Sequence, residues 1–132
     1  AQADRWRQSP PGDPIIVAGS TGSIPATAAL IAVVAELPQG AVVLPGLDSF
    51  ADEETWAAVD QSHAQFGLRQ LLQRIGVERT NVRPWLRDQG ESPRHSLLRE
   101  ALRPTETTEQ WRGLTSLPAA AAAASASITL RA

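Results

Sequence analysis

The sequence predicts an α/β fold: a small parallel sheet built on one βαβ unit, with a candidate third strand, followed by a mostly helical second half. Three observations predict it. Ile15–Ala18 and residues 41–44 are short, continuous apolar runs, the form expected of strands buried on both faces. Between them Leu30, Val33, Val34 and Leu37 recur at i, i+3, i+4 and i+7, which defines one face of a helix. Two such strands joined through a helix need a crossover connection, and a crossover leaves them parallel.

The elements follow in order. Residues 1–13 are polar and carry Pro10, Pro11 and Gly12, so they read as a flexible lead-in. After the first strand, Ser23 is a natural N-cap and Pro25 falls in the first helical turn, where a missing N–H costs nothing. Pro38, Gln39 and Gly40 stop that helix, and Pro45-Gly46 closes the second strand. Asp52 can cap a short helix holding Trp56 and Val59. Leu68, Leu71, Leu72 and Ile75 mark an amphipathic helix ended by Gly76. Residues 79–93 contain Pro84, Gly90 and Pro93 and read as a long loop. A helix over 94–102 is expected to bury Leu97, Leu98, Ala101 and Leu102, and another runs from Thr105 to Trp111. Residues 119–126 are low in complexity and fit helix or linker, and 127–131 (SITLR) read as a further strand. Residues 14–132 thus form a single α/β domain or an excised part of a larger one.

Composition narrows the function. At 132 residues the chain holds one modest core, and no apolar run approaches the about 20 residues that span a bilayer. Its start, AQADRWRQSP, lacks the apolar centre of a signal peptide, and a cytoplasmic location is expected. Met is absent and the chain begins at Ala1, so it reads as a segment of a longer protein. The lack of Cys excludes disulfides, thiolate nucleophiles and cysteine-ligated metal. All twelve basic residues are Arg, which excludes a Walker A lysine, a Schiff base and a lysine general base. A net charge of −2 does not mark the whole segment as a polyanion binder.

The loop Gly19-Ser20-Thr21-Gly22-Ser23 lies between a buried strand and a helix start, where free backbone N–H groups and the helix dipole suit phosphate. The same residues also serve a purely structural end, glycine permitting a tight turn and Ser or Thr capping the helix. The loop lacks GxxxxGK[ST], GxGxxG and GxSxG spacing, so no established phosphate or nucleophile motif is complete. In a βαβ unit both strands end on one side, which places Asp48 near this loop, as a magnesium ligand or a turn cap. His63 and His95 are the only histidines and have no Cys or HExxH about them, so neither a metal site nor a catalytic residue is expected. Between Arg69 and Arg103 there are eight Arg against four acids. That stretch could track a nucleic-acid backbone through Arg69, Arg74 and Arg83 with Trp85 stacking on a base, or it could be a solvated set of i, i+4 pairs.

The motifs GSTGSIPATAALIAVVAELPQGAVVLPGLD (19–48), HAQFGLRQLLQRIGV (63–77) and LLREALRPTETTEQWR (97–112) closely resemble the AddB family of double-strand break repair proteins, of the alphaproteobacterial type. They cover roughly half the chain in the family's order. Ala64 stands where the family pattern has Pro, and Thr105 where it has Ala. The resemblance implies a fragment of the amino-terminal, helicase-like half of such a subunit. The family works with the AddA subunit to process broken DNA ends, through an ATP-driven helicase motor and nuclease domains. Its own nuclease motif and iron–sulfur cysteines lie near the far carboxyl end, outside these residues. The parent protein would thus use an iron–sulfur cluster and magnesium, with ATP consumed by the complex, while this segment would hold no cofactor. In related active helicases the first strand ends in the Asp-Glu pair that holds magnesium; here that place reads Val17-Ala18-Gly19-Ser20. The implied role is a non-catalytic scaffold and DNA-scanning element, with AddA as partner and exposed apolar surface available for dimer contacts. A rival from another class is a small phosphate- or nucleotide-binding α/β enzyme using residues 19–23.

Overall fold

Two four-residue strands, β1 (Ile15–Ala18) and β2 (Gly40–Val43), pair in parallel in the computed structural model, which describes residues 2–85, 90–114 and 121–122. Their register sets Ile15 opposite Gly40 and Ala18 opposite Val43. The crossover between them is a helix, Pro25–Glu36, with Pro25 in its first turn as its fixed φ favours. The expected βαβ unit is therefore present. The described residues divide into two compact units, 2–49 with 65–85 and 50–64 with 90–114 and 121–122.

In the first unit the chain begins with α1, Gln2–Gln8, where the sequence suggested a flexible lead-in. Trp6 is half-buried, and Arg7 lies 3.8 Å from Glu36 at the far end of the crossover helix, which is α2. Proline and glycine at 10–12 end the helix but say nothing against the seven residues before them. Ala28, Ile31 and Leu71 form the core, with Val17, Val42, Leu44 and Ile75 packed on it. Val33 and Val34 are also buried on α2, as the helical spacing predicts.

The strands are not covered on both faces as expected from their apolar runs. Alternate residues of β1 face out, and Ile16 is 61% exposed. An apolar run records which side chains could be buried, but only one face of this two-stranded sheet meets α2. Gly40 opens β2 for a steric reason: a Cβ there would collide with the Val34 carbonyl, so the close approach of α2's end to the sheet requires glycine.

The second unit holds α3 (Glu53–Ala57) and α5 (Pro93–Ala101), followed by a 3-10 helix over Thr105–Gly113; α4 (Phe66–Ile75) belongs to the first unit. Gly76 ends α4 at φ 67° in the left-handed region, as its position predicts. Asp52 caps α3, its Oδ1 accepting the Thr55 N–H at 2.7 Å. The helix ends at Ala57, so Val59 is buried beyond it rather than on it. On α5 the expected apolar face is overturned. Leu98, Ala101 and Leu102 are exposed, Leu97 is half-buried, and the buried residue is Glu100. Within the long loop, Arg79–Asn81 make one 3-10 turn. The 127–131 strand lies outside the described residues, as does the 119–126 stretch apart from 121–122.

Candidate functional site at the sheet edge

The carboxyl ends of β1 and β2 lie side by side, with Gly19 N–H donating to the Val43 carbonyl at 3.2 Å. The 19–23 loop and the 45–48 segment therefore leave adjacent strands at one edge, as the topology predicts. Gly19, Gly22 and Gly46 all take positive φ (76°, 67° and 63°), so each turn uses a conformation that side chains resist.

The interior of the loop is committed to its own packing. Ser20 Oγ accepts the Gly22 N–H at 3.2 Å, which occupies one of the donors that an anion would need. A Cβ on Gly22 would stand 3.1 Å from Leu71 Cδ1 and 3.3 Å from Ala28 Cβ, so the loop is pressed onto the core between α2 and α4. Thr21 is half-buried beside Gly67, at the start of α4, where a Cβ would come within 3.8 Å of Thr21 Cβ. Ser23 is exposed and is not the N-cap of α2: that position is Ile24, in extended conformation with no side-chain bond. The proline at the next residue restricts Ile24 to extended backbone, which moves the cap one residue past the hydroxyl.

Asp48 sits in a segment fixed by side chains from elsewhere. The Gln65 amide bridges it, Nε2 donating to the Gly46 carbonyl at 2.9 Å and Oε1 accepting the Asp48 N–H at 3.1 Å. Arg79 Nη1 donates to the Asp48 carbonyl at 3.3 Å. Gln65 and Arg79 are the residues fixing this edge that sequence reasoning missed. Their partners are backbone groups 17 to 31 residues distant, and no spacing pattern announces such a pairing.

The arginine-rich stretch separates into different roles. Arg79 is buried, while Arg74 and Arg83 are exposed and Arg69 is half-buried on α4. Trp85 is 76% exposed. In the second unit Arg99 pairs with Glu91, and Arg103 is buried among Glu100, Thr55 and Gln110. A cavity of about 250 Å³ in that unit is lined by Asp60, Ser62, His63, Arg103 and Glu106 among others. It holds Ser, His and Asp together without making a triad. Ser62 Oγ donates to Asp60 Oδ1 at 2.6 Å, so its proton is directed at the carboxylate, while His63 Nε2 donates to the Leu102 carbonyl at 2.7 Å. The Ser62 hydroxyl, and then its N–H, hold the Asp60 carboxyl below its usual value, as an anion receiving a turn.

Among the described residues, no group of three or more His, Asp or Glu is placed to hold a metal ion, and no helix is long and apolar enough to cross a membrane. No family model, curated protein or solved structure matches the chain.

Proposed function

We propose that this chain is a non-catalytic, helicase-like segment of an AddB-type subunit, acting within an ATP-dependent helicase/nuclease that processes DNA ends in double-strand break repair in the cytoplasm. One observation carries the non-catalytic reading. At the sheet edge, where a motor presents carboxylates and free backbone donors to nucleotide, β1 ends without a carboxylate and the following loop is bonded to itself and packed on the core at Gly22. Ser20 Oγ takes the Gly22 N–H, Gly22 is wedged against Leu71 and Ala28, and Gln65 and Arg79 tie down the 46–48 backbone. An edge bonded within its own chain is what a scaffold needs and a poor cradle for a phosphate that must bind and leave. The family rests on the resemblance carried by the motifs at 19–48, 63–77 and 97–112. They also supply the partner, an AddA-type motor subunit, and the parent's iron–sulfur cluster and magnesium. DNA contact by this segment rests on Arg69, Arg74 and Arg83 with Trp85.

The test joins two titrations. A fluorescent ATP analogue added to the chain should give no saturable signal. Saturable binding that disappears in Thr21→Glu would overturn the scaffold reading in favour of the small nucleotide-binding enzyme. Fluorescence anisotropy with forked and single-stranded DNA, across a salt series, then measures the exposed arginines directly. Affinity falling steeply with salt, with a shallower slope in an Arg74→Ala/Arg83→Ala double variant, would support phosphate contact. A flat response would favour contacts within the parent subunit and with the motor, and failure of the AddA-type subunit to retain the full parent subunit carrying Ile16→Arg, a substitution on the exposed sheet face that leaves the Ala28–Ile31–Leu71 core in place, would support that role.

A further inference from the structure

We draw no further inference here: the strongest candidate, the exposed outer face of the β1–β2 sheet around Ile16, is an apolar surface without a partner among the described residues, and nothing in the structure shows what covers it.

Discussion

Glu100 and Arg103, one helical turn apart, meet in a two-pronged ion pair: Arg103 Nη2 donates to Oε1 at 2.8 Å and Nε to Oε2 at 2.9 Å. Their side chains are only 7% and 5% exposed. Arg103 Nη1 also donates to Thr55 Oγ1 and Gln110 Oε1, both at 2.7 Å, and lies 3.4 Å from Asp52 Oδ2, so among the described residues of the second unit a charged cluster is buried along with Ala51 and Val59. Trp111 Nε1 donates to the Glu100 carbonyl at 3.0 Å and adds the 3-10 helix to the same centre.

Removing one member of that pair should therefore cost far more than removing both. Glu100→Ala removes the two-pronged partner and leaves the buried guanidinium only the part-exposed Asp52 carboxylate, 3.4 Å away, so a loss of about 3 kcal/mol is expected in urea unfolding. Replacing the pair with Glu100→Leu and Arg103→Met should recover most of it, because two well-packed apolar side chains dispense with both desolvation costs. If the double variant is as unstable as the single, the pair is not the organising element.

Gly40 gives a prediction of the opposite kind, in which one added carbon is the whole perturbation. Gly40→Ala drives a Cβ into the Val34 carbonyl, a backbone atom at the end of α2 that cannot turn aside, and about 3 kcal/mol of destabilisation is expected. Gly12→Ala is the matched control: its Cβ would meet nothing within 4 Å, and its stability should stay within about 0.5 kcal/mol of the parent. Thermal melts of the two variants side by side decide the matter.

The strands, the crossover helix, the Gly76 stop and the Asp52 cap were legible in the sequence because each rests on local chemistry: an apolar run, a helical period, a left-handed residue, a carboxylate before a helix. What was not legible depended on which face is covered. Leu98 and Leu102 satisfy a helical spacing as well as Leu68 and Leu72 do, yet the first pair is exposed and the second buried. The same limit applies at the sheet edge. That 19–23 and 45–48 lie together follows from parallel strands, but the bridging by Gln65 and Arg79 depends on tertiary placement alone. Ser23 failed as a cap because Pro25 controls the residue before it, a local rule that outweighs hydroxyl preference.

Paired substitutions on the first unit test that distinction between apolar and buried. Leu71→Ala empties a site in contact with Ala28 and Ile31 and should cost about 2–5 kcal/mol, with the 19–23 loop loosened because Leu71 Cδ1 supports Gly22. Ile16→Thr, on the open face of β1, should change stability by less than about 1 kcal/mol and improve solubility. Hydrogen exchange at Gly22 N–H should accelerate in the Leu71 variant and remain unchanged in the Ile16 variant. Acceleration in both would mean that the sheet's open face also supports the loop.

Asp52 supplies the pH dependence. Burial by itself would raise its pKa, but the Thr55 N–H, the Thr55 hydroxyl and the charge of Arg103 together outweigh burial and hold the carboxyl below its ordinary 3.8. A folded-state pKa below the unfolded one means that the unfolded chain binds the proton more readily. The contribution is therefore fully present above the unfolded value and is lost as pH falls through the folded value. At neutral pH, Asp52→Ala should lose about 1 kcal/mol, the ordinary worth of an N-cap. That difference should shrink as pH falls below 3.8 and the parent's carboxylate is protonated. Urea unfolding of parent and variant at a series of pH values gives the comparison. Two curves that stay parallel into acid would show that the cap acts through hydrogen-bond geometry that survives protonation, and that charge contributes nothing at this helix start.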